Sequence, residues 1–383
     1  MEFRDSPAQS EWRREVHAFL QEEAPGVADT DPLAPDQGGR LKGWRQKLVA
    51  RGWIAPAWPR EYGGAGLSVV EQFILNEEFA EARAPQMGGG GVGMLGPTLI
   101  QFGTEEQKQE HLGRILRGEA QWCQGYSEPG AGSDLASLQT RAIRDGDDFV
   151  INGQKIWTSG AHRADWMFML ARTDPDAPKH RGISYFLLDM KSPGITVRPL
   201  INMAGRHLFN EVFFEDVRVP ARNVVGDVNR GWYVGATTLD FERSSIGNSV
   251  GQRQLIESYL VHFRANPHLL SEAVRAKFAE LWIEANVAKL LSYHVISLQA
   301  NGGVPNYEAS IAKLFNSELS QRIANAAVGA LRLNGLVVDP VRAPLRAQAP
   351  EAYMGRVSAT IAGGSSEVQR NIIATRGLGL PRA

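Results

Sequence analysis

The spacing of apolar residues changes twice along this chain, near residue 120 and again near residue 230. In the first and last parts, apolar residues recur every three or four positions, as on one face of an α-helix. The part between them has short runs rich in β-branched and aromatic residues, which are typical of strands. At 383 residues the chain also exceeds the size at which one hydrophobic core usually stops growing. The sequence therefore predicts an α+β multidomain protein with an N-terminal helical domain over 1–119, a middle β-barrel domain over 120–230 and a C-terminal four-helix bundle over 231–383.

Composition argues against several classes of protein. The formal net charge is -1 and the sequence pI is near 6.7, so no overall field favours nucleic acid or an anionic membrane. Cys123 is the single cysteine, which excludes an internal disulfide framework and a multi-thiolate metal site. The first residues are charged and lack the apolar core of a secretion signal, and no stretch has the length of a membrane span. We expect a cytoplasmic protein with no metal, nucleic-acid or membrane partner.

One glycine motif is misleading. Gly91, Gly93 and Gly96 match the dinucleotide-binding pattern, which requires a strand before the glycines and a helix after them. The preceding segment has a helical pattern, and Pro97 follows the third glycine where a helix would have to begin. We interpret these glycines as sites of close helix packing or as a pliable pocket wall.

Two segments of the β region are candidates for binding a ligand. The loop YSEPGAGSD over residues 126–134 is rich in glycine, which lets backbone N–H groups approach a ligand closely. The segment INGQKIWTSG over residues 151–160 contains Trp157 and, two residues later, Ser159. Filling of the hydrophobic core is the alternative role for Trp157, because large aromatic side chains are more often buried for packing than used in chemistry.

These two segments, with NEVFFEDVRVP over residues 210–220 and IAGGSSEVQRNIIA over residues 361–374, resemble the acyl-CoA dehydrogenase family in sequence and in order. The resemblance implies FAD as cofactor, with the tryptophan against the isoalloxazine and a serine hydroxyl at its reactive edge. It also implies an arginine that reaches the flavin pyrophosphate of a neighbouring subunit. By resemblance the residues that contact FAD are Tyr126, Ser127, Ser133, Trp157, Ser159, Arg264, Ser365 and Glu367.

The catalytic base is the main departure from the family pattern. In many members a glutamate lies in the C-terminal loop at the place that Gly363 takes here, and glycine cannot accept a proton. One branch of the family carries its glutamate on the first helix of the C-terminal bundle, where this chain has Glu242. On a helix Glu242 would share an apolar stripe with Leu239, Ile246 and Val250, and such surroundings raise the pKa of a carboxylate towards neutrality. An ion pair with a distant Arg or Lys is the alternative role for Glu242.

The resemblance implies oxidation of an acyl-CoA thioester to the trans-2-enoyl thioester. The α proton would pass to Glu242 and the hydride to flavin N5, while the backbone N–H of Gly363 and a flavin ribityl hydroxyl would form the oxyanion site. Asp240 and Arg243, three residues apart, are expected either to contact the CoA portion or to form an ordinary surface ion pair.

Small residues favour a bulky acyl group. Ala362 and its neighbouring glycine replace a bulkier pair that is common in the C-terminal loop, and four consecutive glycines at 88–91 thin another expected pocket wall. These residues favour a branched or ring-bearing substrate.

The resemblance also implies partners: an electron-transfer flavoprotein as electron acceptor and assembly into a homotetramer or heterotetramer. Two alternatives remain, a non-catalytic or partner-dependent subunit of a hetero-oligomeric dehydrogenase and an acyl-CoA oxidase-like relative.

Overall fold

The computed structural model describes residues 4–26, 37–243 and 248–381, and the side chains of residues 37–40, 240–243 and 248–249 lie outside the description. The described residues form two compact units whose boundary does not follow the order of the chain. The first unit contains residues 4–24, 68–84 and 248–381, and the second contains residues 25–26, 37–67 and 85–243.

The first unit is built from helices. They are α1 (Pro7–Glu23), α3 (Val69–Glu81), α7 (Asn248–Ala265), α8 (Glu272–Ala300), α9 (Tyr307–Leu331), α10 (Gln348–Gly355) and α11 (Ser366–Ile372). Buried aromatic residues pack α7 against α8: the ring centroids of Phe263 and Phe278 are 5.1 Å apart, and Tyr259 contacts both rings. Leu319 and Ile323 of α9 complete this core. No helix among the described residues is long and apolar enough to cross a membrane.

Local sequence determines where the helices begin. Ser6, before α1, accepts a hydrogen bond from the backbone N–H three residues later, and the Gln9 side chain accepts one from the N–H of Ser6 in return. Ser68 and Glu71 form the same reciprocal pair at the start of α3. Each pair satisfies backbone donors that the first helical turn would otherwise leave without partners.

Charged residues connect the two N-terminal helices of this unit to α8. Glu77 of α3 is 7% exposed and binds Arg13 of α1 at 2.8 Å and Lys289 of α8 at 2.6 Å. Arg13 also binds Glu78 at 2.9 Å, and the hydroxyl of Tyr293 donates to Glu77 at 3.3 Å. These contacts explain why α1 and α3 group with the C-terminal helices, which the amphipathic patterns alone did not predict.

An eight-stranded sheet occupies most of the second unit. Its strands are β1 (Trp122–Gly125), β2 (Arg141–Asp145), β3 (Asp148–Lys155), β4 (Trp166–Arg172), β5 (Ile183–Asp189), β6 (Ile195–Ile201), β7 (His207–Pro220) and β8 (Val224–Val225). The spatial order is β6-β7-β3-β2-β4-β5-β8, with β1 pairing in parallel with β4. Phe149 and Ile151 of β3 point into the core, and β4 and β5 are buried almost throughout.

Four helices accompany the sheet: α2 (Gln37–Ala50), α4 (Gly96–Phe102), α5 (Glu105–Arg117) and α6 (Gly231–Arg243). The buried Gln107 of α5 donates from Nε2 to the carbonyls of Arg222 and Val224, at 2.7 and 2.8 Å. The hydroxyls of Thr98 and Thr238 join α4 to α6 at 2.8 Å. These polar contacts fix α5 and α6 beside the strands.

The glycine motif has no strand before it, as expected. Residues 91–95 form a π-helical turn, a feature frequent at functional sites. A Cβ at Gly96 would lie 1.7 Å from the indole of Trp58, whose Nε1 donates to the carbonyl of Val92. Close packing is therefore confirmed at Gly96, whereas an added Cβ at Gly93 would meet no atom within 4 Å. One supporting argument was wrong, because α4 does begin at Gly96 and accommodates Pro97 in its first turn, where a missing N–H costs nothing.

The predicted order of helical, β and helical domains is confirmed. Chain segments change from helix to strand between Arg117 and Trp122, and back between Val225 and Gly231. The domain limits of 1–119, 120–230 and 231–383 stay predictions, since compactness groups the described residues into two units.

Candidate active site

The loop over residues 126–134 is closed at its base and open at its tip. Glu128 and Ala131 exchange both backbone hydrogen bonds at 3.0 Å. Added Cβ atoms at Gly130 and Gly132 would meet no atom within 4 Å, and Ser133 is exposed. In the described part of the chain, neither the Ser133 hydroxyl nor the N–H groups of Gly132 and Ser133 have a partner. The tip therefore presents free hydrogen-bond donors.

Tyr126 lies beneath this loop. Its side chain is 5% exposed, and its ring meets those of Phe168 and Tyr185 edge to face. An added Cβ at Gly235 of α6 would lie 3.4 Å from the Tyr126 hydroxyl, so the glycine lets α6 approach closely. Ser127 is half-buried, and its carbonyl accepts from the N–H of Ile156 at 2.9 Å.

Trp157 and Ser159 follow β3 and lie close to the base of that loop. Trp157 has a left-handed backbone with φ of 60°, and its side chain is 59% exposed. Exposure excludes core filling, and the strained φ is rare for a bulky residue outside functional sites. Ser159 is exposed and has no hydrogen-bond partner among the described residues. Thr158, between them, is buried with an unpartnered hydroxyl within the described chain.

A buried asparagine supports this segment. Asn210 of β7 is fully buried, accepts at its carbonyl from the N–H of Thr158 and donates from Nδ2 to the Thr158 carbonyl, both at 3.0 Å. His162 and His207 stack with centroids 3.9 Å apart and both contact the Asn210 amide. Burial and the nearby His207 lower the pKa of His162. Trp157 is thus held in place by several bonds to the residue that follows it.

Lys155 and Glu128 form a buried ion pair between the two segments. Lys155 is fully buried, and its Nζ lies 2.7 Å from Glu128 Oε1 and donates to the Tyr126 carbonyl at 3.0 Å. Burial lowers the pKa of Lys155 to about 8. Burial opposes ionisation of Glu128 as well, but Lys155 and the donors around Glu128 outweigh it and hold the Glu128 pKa below its usual range.

The C-terminal loop belongs to the first unit and has two consecutive left-handed glycines. Gly363 has φ of 64° and Gly364 has φ of 85°, and neither N–H has an acceptor in the described chain. Gln369 of α11 donates to both glycine carbonyls at 3.1 and 3.3 Å, and Lys313 of α9 donates to the Gly364 carbonyl at 2.7 Å. Ala362 is exposed beside them.

The same loop ends at the start of α11. Ser365 caps the helix by accepting from the N–H of Val368 at 3.4 Å, and Glu367 is exposed. A surface cleft of about 430 Å³ lies between this segment and α9, and it is lined in part by Glu367 and by the Arg370–Glu318 ion pair. Ser366, also in its lining, is buried with an unpartnered hydroxyl within the described residues.

Three predicted site residues lie outside the described side chains. Glu242, Asp240 and Arg243 are on α6, but the placement of their side chains is not described, so their roles stay predictions. Of the stripe that supported Glu242, Ile246 lies outside the described residues and Val250 lies on α7. Arg264 also lies on α7, where it is exposed and has no hydrogen bond or ion pair among the described residues.

Comparison with known proteins settles the family. Three family descriptions match: "Acyl-CoA dehydrogenase, N-terminal domain" over 6–119, "Acyl-CoA dehydrogenase, middle domain" over 123–217 and "Acyl-CoA dehydrogenase, C-terminal domain" over 229–378. Acyl-CoA dehydrogenase IpdE1 of Mycobacterium tuberculosis is 38% identical over 89% of this chain and 88% of its own length. The chain belongs to the acyl-CoA dehydrogenase family. Members of this family are FAD-dependent flavoproteins, so the chain is an oxidoreductase acting on acyl-CoA.

Two solved structures resemble this acyl-CoA dehydrogenase along its whole length. The Tcur3481-Tcur3483 steroid acyl-CoA dehydrogenase matches with a TM-score of 0.88 and 34% identity, covering 100% of both chains. The ChsE4-ChsE5 complex from Mycobacterium tuberculosis matches with a TM-score of 0.84 and 34% identity, covering 100% of both chains.

The residues of this acyl-CoA dehydrogenase fit FAD in two respects. The exposed Trp157 indole offers a flat apolar surface for an isoalloxazine, and the loop tip near Ser133 offers free backbone donors for flavin oxygens and phosphates.

Sequence reasoning missed the residues that hold these segments. Lys155 lies four residues after Ile151 on β3, and residues an even number apart on a strand face the same side. Strand alternation therefore places this charged side chain on the core side with Phe149 and Ile151, which could have identified it from the sequence. Asn210 and Lys313 had no comparable signal, because their partners are backbone groups distant in sequence. Gln369 bonds carbonyls only five and six residues before it, but its residue type alone did not indicate this.

A pair of alanine variants tests the C-terminal loop. A Cβ at Gly364 would lie 2.5 Å from Gln369 Nε2, whereas a Cβ at Gly363 would meet nothing within 4 Å. Both variants incur a left-handed backbone cost of about 1–2 kcal/mol. We expect Gly364→Ala to lower the free energy of unfolding by about 1 kcal/mol more than the control Gly363→Ala, because Gln369 must give up its bonds. Urea denaturation measures the difference, and equal midpoints would contradict the role of Gln369.

Proposed function

We propose that this acyl-CoA dehydrogenase oxidises the CoA thioester of a ring-bearing acyl group of the steroid class to the trans-2-enoyl thioester. The observation that carries the proposal is the full-length similarity to a dehydrogenase described as acting on steroids. Glycines of the second unit add support, because added Cβ atoms at Gly89 and Gly93 would meet no atom within 4 Å. Missing side chains at these positions favour a wide acyl pocket.

Glu242 is the proposed base for the α proton. Its place on α6 corresponds to the position used by the branch of the family that lacks a loop glutamate, and Gly363 cannot serve. α6 packs through Thr238, four residues before Glu242, against Thr98 in the interior of the second unit.

The proposal also assigns residues that contact FAD, the thioester oxygen and the substrate. FAD, when bound, accepts the hydride at N5. Tyr126, Ser127, Ser133, Trp157, Ser159, Ser365, Glu367 and Arg264 are the proposed FAD contacts. The free N–H of Gly363 is the proposed donor to the thioester oxygen, and a donor of this kind contributes about 3 kcal/mol to lowering a barrier. Ala362, Asp240 and Arg243 are proposed to contact the substrate.

Assembly with a related second chain is part of the proposal. Two of the similar structures carry names that join two proteins. Ile283, Val287 and Leu290 on α8 form an exposed apolar row, with exposures of 65%, 38% and 49%, which is unusual for a surface that stays in water. An electron-transfer flavoprotein is the proposed acceptor of the electrons.

Anaerobic titration of the FAD-loaded protein tests the function. The thioesters are a steroid with a CoA-linked side chain, a branched acyl-CoA and a straight-chain acyl-CoA. We expect loss of the oxidised flavin absorbance with the steroid thioester at the lowest concentration, and the enoyl product by mass spectrometry. Bleaching only by straight chains would contradict the substrate class, whereas protein that takes up no FAD alone but does so with a related chain would favour the partner-dependent alternative.

A further inference from the structure

The buried pair of Lys155 and Glu128 connects three separate segments of the second unit. Glu128 belongs to the loop over residues 126–134, and Lys155 is the last residue of β3, directly before the segment with Trp157. The third segment precedes β2: the N–H of Gln139 donates to Glu128 Oε2 at 2.6 Å and that of Thr140 donates to Oε1 at 3.0 Å. The Glu128 carboxylate thus gathers donors from residues up to 27 positions away along the chain.

Neighbouring contacts make the arrangement rigid. The Thr140 hydroxyl donates to the Gln154 carbonyl at 3.2 Å, and a Cβ at Gly153 would lie 2.6 Å from that hydroxyl. The N–H of Ile156 donates to the Ser127 carbonyl. Because every polar atom of Lys155 and Glu128 is buried or nearly so, water cannot relax the geometry, and the spacing between the loop and the Trp157 segment is fixed.

A buried ion pair on its own contributes little to the stability of a fold. Removing two charges from water costs free energy that their attraction often does not recover, and well-packed apolar pairs commonly replace such pairs without loss. The Lys155–Glu128 pair joins the two segments that carry Ser133 and Trp157, and its bonds are directed rather than diffuse. Its location therefore indicates that the pair positions these two segments relative to each other.

We propose that Lys155 and Glu128 are positioning residues that set the distance between the Ser133 loop and the Trp157–Ser159 segment, so that both reach one flavin at once. Neither side chain touches the cofactor. The inference rests on the proposed FAD site, and it predicts that losing the pair disturbs flavin binding more than it disturbs folding.

The test compares Glu128→Gln with the double variant Glu128→Gln/Lys155→Met. Glutamine keeps an acceptor for the N–H groups of Gln139 and Thr140, and methionine keeps the apolar length of lysine. The control is Arg218→Ala, which removes an exposed ion pair with Asp145 on the same sheet. Each protein is measured for thermal midpoint, FAD dissociation constant, visible flavin spectrum and flavin reduction potential.

Glu128→Gln leaves Lys155 buried without its partner and should lower the thermal midpoint clearly. The double variant removes the orphaned charge and should melt within a few degrees of the parent. Both variants should bind FAD at least about tenfold more weakly and show a shifted spectrum and potential. Arg218→Ala should match the parent in all four of these measurements. Parent-like FAD affinity and spectrum in Glu128→Gln would overturn the positioning role, even if the double variant failed to fold. Failure of the parent chain to bind FAD, alone or with a partner, would instead refute the proposed function.

Discussion

Replacing Glu242 with glutamine is expected to slow reduction of the bound flavin by about 10²- to 10⁴-fold, the usual contribution of a positioned general base. Glutamine keeps the size of the side chain and removes its ability to take the α proton. Gly363 cannot replace that function, because it has no side chain in the loop where other family members carry their glutamate. The FAD contacts proposed for the second unit involve other residues, so flavin content should not change.

Rapid mixing of FAD-loaded protein with the best thioester, without oxygen, measures the rate of flavin bleaching. Glu257→Gln is the matched control, since it makes the same chemical change on α7, where Glu257 lies 3.7 Å from Arg253. The control should bleach at the parent rate. Parent-like bleaching in Glu242→Gln would show that the base is another residue and would favour the ion-pair role for Glu242.

Gly363 offers a complementary gain-of-function test in the Glu242→Gln background. A glutamate at this position would carry its Cβ into space with no atom within 4 Å, at a left-handed φ of 64°. The backbone cost of about 1–2 kcal/mol is tolerable for the fold. If the loop position is equivalent to that in other family members, Gly363→Glu restores part of the bleaching, and no restoration would show that this loop presents its side chains differently.

Much of the secondary structure follows from the sequence because periodicity is local information. Apolar residues over 307–331 recur at helical spacing, and this stretch forms α9; β3, β4 and β5 form from runs rich in β-branched and aromatic residues. The strands β1, β2 and β8 were not predicted individually, because strands of five residues or fewer show little alternation. The described residues between Trp232 and Phe263 are helical and belong to α6 and α7.

Packing partners were not predictable in the same way. An amphipathic face shows that one side of a helix is buried but not which element covers it. The contacts that join α1 to α3 and α3 to α8 therefore emerge only in three dimensions. The candidate site shows the same limit. Resemblance identified Trp157 and Ser133, whereas Lys155 and Glu128, which connect their segments, required the fold to bring distant residues together.

Replacing Glu77 with glutamine is expected to lower the free energy of unfolding near neutral pH by about 2–3 kcal/mol. Burial opposes ionisation of Glu77, but the hydrogen bonds and charges of Lys289 and Arg13 outweigh it and hold its pKa below the usual value. Removing one partner of a buried ion pair typically costs about 3–5 kcal/mol, and the lower value applies here because Arg13 and Lys289 are 26% and 28% exposed.

The pH dependence gives this prediction its sharpest form. A carboxylate with a lowered folded pKa contributes stability above its unfolded pKa, and this contribution disappears as the pH falls through the folded pKa. The gap between parent and Glu77→Gln, measured by urea denaturation, should therefore be widest near neutral pH and close progressively below about pH 4.5. Glu81→Gln on the same helix removes a more exposed partner of Arg253 and should cost less than about 1 kcal/mol. If Glu77→Gln lowers the free energy of unfolding no more than Glu81→Gln does, the network around Glu77 does not hold α1 and α3 against α8. A loss that persists unchanged in acid would lead to the same conclusion.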